Sequence, residues 1–469
     1  MSDQTLQQKL DAAGDIVGFL RNQQTGPNVY PGVPAEYSNW RNEQRGWAKS
    51  AVLFNQSYHM VELHVRGPDA MKLLEYTAIN SFKNFTVDKA KQYVPVTPDG
   101  YVIGDVILFY LAENEFSLVG RAPAIEWVEF HAQYGDWDVT VERDERTALR
   151  SDGVRKNYRF QLQGPNAMKV LERAMGETPP DLKFFNMAHI DIGGKDVIAL
   201  RHGMAGQPGY ELFGPWADYE AVHSALVAAG KDFGLELVGG RAYSSNTLES
   251  GWLPSPLPAF YTGDSQMMKD FRTWASAKSY AGICSIGGSY VPDSIEGYYL
   301  TPWDIGYGHI VKFDHDFVGR EALERMAGEK HKQKVTLALD PEDVGRVMSS
   351  MFAKGDRAKW FEFPSAVYSM HPFDAVKVDG KEIGVSTWIG YSSNEGAMLS
   401  LAMIDPDHVE FGKEVTLVWG EPNGGTSKPT VEPHVQTEIR AIVSPVPYSE
   451  VARNVYADSW RQTGVGANA

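Results

Sequence analysis

A repetition constrains this chain more than any other feature. Val65–Glu75 reads VRGPDAMKLLE, and Leu162–Glu172 reads LQGPNAMKVLE. Each Gly-Pro step follows an alternating apolar stretch, MVELHV in one copy and RFQLQ in the other, and precedes apolar residues at helical spacing. Strand, turn and helix are therefore expected twice, with Asp69 or Asn166 placed to cap the new helix. A second pair follows, FSLVG at Phe116–Gly120 and YELFG at Tyr210–Gly214, each leading into a helical pattern. In the later one Ala221, Val222, Ala225, Leu226 and Ala229 form one apolar stripe, and Gly230 is expected to end the helix. The period is far too long for a solenoid. An α+β duplication fits it, with two halves about a pseudo-twofold axis and a ligand cleft between them.

The last third changes character. From about Lys334, short β-rich runs (KVTLALD, AVKVDG, EVTLVWG, EIRAIVSPVPY) alternate with Gly, Asp, Asn and Pro turns. That pattern predicts a small antiparallel barrel or sandwich. Gly251–Asp264 (GWLPSPLPAFYTGD) is expected to be irregular because of its prolines. The expected division is residues 1–150 with the first half of the repeat (joined by part of 240–300), 151–335 with the second half and connecting segments, and 336–469 as the β domain.

A formal charge of −16 argues against a nucleic-acid partner, which would need Lys and Arg to neutralise phosphates. The single cysteine, Cys284, excludes an internal disulfide and makes a reducing cytoplasm the natural setting. It also excludes a thiolate-rich metal site. The N-terminal segment lacks a basic stretch followed by an apolar one, and nowhere do ~18 uncharged apolar residues run together, so neither a signal peptide nor a membrane span is expected. The 12 histidines are scattered, with no HExxH, and no G-x-S-x-G elbow marks a hydrolase.

Three features carry chemistry. RHGMAGQPGYE (Arg201–Glu211) places glycines at 203, 206 and 209, which permit a tight loop ahead of the strand bearing Glu211. These glycines precede a strand, so the loop is not a dinucleotide fingerprint. Arg121 follows FSLVG where the second copy has Pro215. A guanidinium gained by one copy only could bind a carboxylate in bidentate fashion or make a surface ion pair. RAYSSNTLESGW (Arg241–Trp252) holds Tyr243, which these residues alone leave as either a packed tyrosine or a proton donor.

Taken in order, the motifs resemble the folate-dependent aminomethyltransferase family, typified by the T-protein of the glycine cleavage system. The R-x-G-x-x-G-x-x-G-[YF]-E pattern is present in full as Arg201, Gly203, Gly206, Gly209, Tyr210 and Glu211. LQGP, a looser FNQSYHM (Phe54–Met60), TPWDIGYG (Thr301–Gly308) and DFVGREAL (Asp316–Leu323) complete it. SNWR, KAKQYVPVTP, RHGMAG, SNTLESGW and SPLPA are similar to the tetrahydrofolate-dependent aryl O-demethylases acting on vanillate and 3-O-methylgallate, and to the dicamba methyltransferases. The resemblance implies a three-domain cloverleaf with folate in a central channel. Two departures matter: of the T-protein's paired acids only Asp105 remains, in GYVIGD, and Tyr243 stands where the T-protein has an arginine.

The resemblance implies methyl transfer from a methoxybenzoate to N5 of tetrahydrofolate, without metal or cobalamin. A phenolate is a poor leaving group, and general-acid help is worth typically ~10²–10⁴-fold. Tyr243 is the expected donor to the ether oxygen. Glu211 would hold the pterin N–H groups, Gln161 would add a second pterin bond, Tyr210 belongs to the same cofactor motif, and Trp252 would stack on the folate. Arg121 would take the aromatic carboxylate, with His59 and Tyr30 around the ring. Tyr58 stands where the vanillate branch has a second histidine, a change that could admit a differently substituted ring. The other readings are an aminomethyltransferase or related folate-dependent demethylase, and a non-catalytic folate-binding protein on the same scaffold.

Overall fold

The computed structural model describes residues 4–27, 30–150, 154–204, 206–254 and 256–455. Both copies of the repeat form the expected strand, turn and helix: Val61–Arg66 leads to Ala70–Tyr76, and Asn157–Gln163 leads to Ala167–Met175. Each strand is central to its own sheet. In the first sheet, Val61–Arg66 lies between Glu115–Gly120 and Thr140–Asp144, and Val106–Ala112 and Lys89–Tyr93 continue beyond Glu115–Gly120. In the second, Asn157–Gln163 lies between Gly209–Pro215 and Ala51–Asn55, with Lys195–Leu200 and Met187–Ile192 on the far side of the former.

The two strand orders contain an exchange. Ala51–Asn55 opens the first half yet is hydrogen-bonded into the second sheet. Thr140–Asp144 opens the second half yet pairs with Val61–Arg66 of the first. Each half lends its leading strand to the other, so the chain passes from one sheet to the other at residues 56–60 and back again after Asp144. The crossings touch: Thr147 N donates to Tyr58 O at 2.9 Å, and Arg155 Nη1 to Met60 O at 2.9 Å.

The repeated glycine makes the exchange possible. Gly67 has φ +135° and Gly164 has φ +125°. A Cβ would lie 2.3 Å from Asp138 O at Gly67 and 2.7 Å from Ser50 O at Gly164. In both copies the obstacle is the backbone entering the lent strand, so only glycine lets the turn pass it.

One local expectation fails. Neither Asp69 nor Asn166 caps its helix with its side chain. Asp69 instead accepts from Lys72 and from Asp138 N, while Asn166 donates to Phe233 O and accepts from Lys169. The α-helix Tyr219–Gly230 ends at Gly230 as expected and passes into a tighter turn over Lys231–Phe233. Gly230 is there for space, because a Cβ would come within 2.4 Å of the Leu235 side chain.

The C-terminal third closes into a six-stranded barrel of Gln333–Leu339, Ala397–Ile404, Lys381–Ser392, Asp374–Val378, Glu414–Trp419 and Thr437–Ser444, antiparallel at every pairing. Its interior is Val335, Leu337, Val376, Ile389, Leu417, Ile439 and their neighbours. The prolines of 251–264 leave that segment without helix or strand among its described residues. No helix among the described residues is long and apolar enough to cross a membrane.

Gly164→Ala adds a clashing methyl at positive φ on the crossing turn. It is expected to destabilise the fold by about 1–3 kcal/mol in urea unfolding, and Gly67→Ala to cost a similar amount.

Candidate active site

The crossing at 56–60 lies over the seam between the two sheets, and with the Arg201–Glu211 loop and the segment from Tyr243 to Trp252 it encloses a cavity of about 360 Å³. That size suits a small organic ligand. Tyr30, Gln56, His59, Asp105, Arg121, Glu211, Tyr243 and Trp252 line it, with Trp388 from the barrel. The tertiary structure thus gathers six of the nine residues expected in the site.

Glu211 lies at the seam. Strand alternation turns it inward, in register with Gln161. Only 3% exposed, it accepts a hydrogen bond from the equally buried Arg159, and His202 Nδ1 lies 3.4 Å away. Burial alone would raise its pKa, but Arg159 and His202 hold it below the ordinary carboxylate value. The carboxylate therefore stays ionised. Gln161 donates to His202 O at 2.8 Å, and its Oε1 is buried without a partner among the described residues. The loop before Glu211 needs glycine at 209, where a Cβ would fall 2.0 Å from Leu162 O.

Tyr243 lies across the cavity, with its hydroxyl 3.1 Å from His59 Nε2 and 3.4 Å from Gln56 Nε2. Its ring sits 4.6 Å from Tyr30, 5.0 Å from His59 and 5.5 Å from Phe54, centroid to centroid. Burial, with Tyr30 adding to it, pushes the phenol well above its ordinary pKa, so it stays protonated. Burial and then the charges of Arg121, Arg155 and Arg146 push His59 down to about 3, leaving it neutral across the physiological range. Arg121 reaches Tyr280 Oη at 3.4 Å, and that hydroxyl lies 3.2 Å from His371 Nε2.

Asp105 receives three donors on one oxygen: Gln92, Trp252 Nε1 at 3.0 Å and Tyr307 Oη at 2.7 Å. Its other oxygen is buried without a partner, and burial raises its pKa. Trp252 has thus committed its N–H and offers the cavity its ring.

Two expected residues lie elsewhere. Tyr210 faces away from Glu211 into the core of the second sheet, where its hydroxyl donates to Pro180 O. Alternation requires this, since neighbours on a strand point to opposite faces. Tyr58 packs on Trp216 and Tyr219, 5.7 and 6.5 Å away, outside the cavity. Gln56 was missed from the sequence. It lies three residues before His59 in the FNQSYHM motif, and nothing local shows that its amide would reach a tyrosine so distant in sequence. Among the described residues, no group of three or more His, Cys, Asp or Glu is placed to hold a metal ion.

Because His59 is neutral when folded down to about pH 3 but takes a proton near 6.5 when unfolded, the unfolded state binds the extra proton between these values. Stability contributed by this group therefore rises with pH across that window. Urea titrations from pH 6.5 to 4 are expected to show a shallower loss of stability for His59→Asn than for the wild type, by about one proton in the linkage slope.

The GCVT N-terminal domain family matches residues 15–255. Syringate O-demethylase of Sphingobium sp. is 76% identical over 97% of this chain and 98% of its own length. Sesamin methylene transferase of Sinomonas sp. is 31% identical over 90% of this chain and 91% of its own. The crystal structure of the glycine cleavage system aminomethyltransferase T from Bartonella henselae superposes with a TM-score of 0.60 at 19% identity, covering 96% of this chain and 99% of that one. That likeness establishes the fold. The family match over the first half of the chain, and the identities carried along nearly all of it, make this chain a member of the aminomethyltransferase (GCVT) family of methyltransferase-type enzymes.

Proposed function

We propose that this protein is a tetrahydrofolate-dependent aryl O-demethylase whose substrate is a methoxybenzoate, with syringate the first to test. The observation that carries the reading is the protonated phenol of Tyr243 set against His59 and Gln56 in a cavity that also contains Arg121 and the ionised Glu211. The relative 76% identical is a syringate O-demethylase, which directs the choice of substrate.

The cavity fits a pterin. Gln161 Oε1 and Asp105 Oδ1 are buried acceptor atoms without hydrogen-bond partners among the described residues, and the N–H groups of a nitrogen-rich heterocycle would satisfy such atoms. Glu211 would accept from the pterin N–H groups, and the Trp252 ring would wall the folate. Bound tetrahydrofolate would supply N5 as the methyl acceptor.

The remaining work falls to the chain. In the ether, the methyl–oxygen bond breaks and its electron pair stays on the aryl oxygen; the proton lost at N5 balances the phenol finally released. Tyr243 meets the developing charge. With the His59 tautomer protonated at Nε2, the Tyr243 oxygen accepts from both His59 and Gln56, and its own proton is left for the ether oxygen. Because burial holds the Tyr243 pKa well above 10, a shared hydrogen bond is favoured over complete proton transfer, since a phenolate leaving group is the weaker base. Arg121 would hold the carboxylate, with Tyr30 and His59 against the ring.

Tyr243→Phe is expected to lower the rate of methyl transfer by about 10²-fold or more with folding intact; a loss within threefold would remove the donor role. Arg121→Ala is expected to raise KM much more for syringate than for its uncharged analogue 2,6-dimethoxyphenol, and equal losses would remove the carboxylate assignment. Formation of 5-methyltetrahydrofolate from syringate, vanillate, 3-O-methylgallate and dicamba, measured side by side, tests the substrate. Turnover of none of them would overturn the reading.

A further inference from the structure

A second cavity, of about 470 Å³, lies on the other side of His59, Gly120 and Arg121, which line both cavities. Its walls come from the second chain crossing, with Glu145, Arg146 and Leu149, and from the segment Trp274–Tyr280. Leu149, 57% exposed, and the exposed Lys278 form its outer rim.

The wall is not electrically neutral in its layout. Arg143 is engaged by Glu126, Glu129 and Glu145. Arg146 has no ion pair to a described residue, and its charge is felt at His59. Arg146 and Arg121 thus both line this cavity of an acidic protein, and both charges are felt at His59 and at Tyr280. The wall also carries a buried polar atom, Glu126 Oε2, without a partner among the described residues. The folate residues belong to the opposite side, where Trp252 is 40% exposed and Pro254, Pro447 and Ala452 line the central cavity.

We propose that this second cavity is the loading vestibule for the aromatic acid, which passes Arg146 ring first and stops when its trailing carboxylate reaches Arg121 at the doorway. The inference rests on the carboxylate role given to Arg121 above. It explains why the anchoring cation stands at the boundary of two cavities: an anchor there halts the carboxylate while the ring enters the reaction cavity. It also gives the acid and the folate separate routes, so one can exchange while the other stays bound.

Stopped-flow tryptophan quenching by syringate tests this, using enzyme preloaded with saturating 5-methyltetrahydrofolate. Preloading is expected to leave the association rate within about threefold of that for unloaded enzyme. Arg146→Glu is expected to slow syringate association by about tenfold at low salt, with the difference fading as salt screens it, and to leave 2,6-dimethoxyphenol unaffected. Ser276→Trp, which narrows the cavity, is expected to slow association and dissociation together and so leave Kd unchanged. A preload that blocks syringate association, or an Arg146→Glu rate equal to that of the wild type, would overturn the vestibule. Arg121→Ala separates the two readings: if it weakens syringate and 2,6-dimethoxyphenol equally at equilibrium, the carboxylate anchor fails regardless of the association rates.

Discussion

One buried guanidinium organises the seam between the two sheets. Arg159 pairs with Glu211, lies 3.7 Å from Glu62 Oε1, and rests over Phe109 and Phe213 at 4.8 and 4.3 Å. Glu62 belongs to the first half and Glu211 to the second, so a single cation binds carboxylates from both. Burying such charges costs more than an apolar contact would, and their retention points to use rather than stability. Removing Arg159 would leave two buried carboxylates facing each other, and Glu211 would no longer be held as an anion.

The duplication supplied symmetric parts, and substitution made them unequal. Aligned by the repeat, Glu62 corresponds to Arg159, His64 to Gln161, Ser117 to Glu211, and Arg121 to Pro215. The register confirms the equivalence in space, with Ser117 opposite His64 and Glu211 opposite Gln161. One half thus offers a carboxylate to the cavity and the other a guanidinium. The strand exchange adds the rest, because each crossing passes over a seam. The first crossing brings Gln56 and His59 to the central cavity, and the second brings Arg146 to the cavity behind it.

Much of this was legible in the sequence where the signal is local. The two Gly-Pro turns, the glycine loop before Glu211, the β-rich last third and the irregular proline segment are properties of neighbours along the chain. Misplacements arose where direction or distance decides. Tyr210 shares the motif of Glu211, but the pleat turns it into the core. Tyr58 is adjacent to His59, yet its ring goes to Trp216 and Tyr219. The side chains of Asp69 and Asn166 occupy cap positions but find better partners across the fold. The hydrogen bond from Gln56 to Tyr243 spans most of the first half of the chain, and no spacing rule reaches so far.

By itself the sequence determined a duplicated α+β unit followed by a β barrel, because hydrophobic period and turn chemistry are written residue by residue. It also determined the chemical types available, a tyrosine ahead of the Leu-Glu-Ser-Gly step and a carboxylate behind three glycines. Only the tertiary structure decided which of these groups meet. It exchanged the leading strands, placed Arg121 between two cavities, and surrounded Tyr243 with Tyr30, His59 and Phe54. The physical reason is that pKa and hydrogen-bond roles depend on burial and on neighbours remote in sequence. The same phenol is an ordinary tyrosine in water and is held protonated here, against His59 and Gln56.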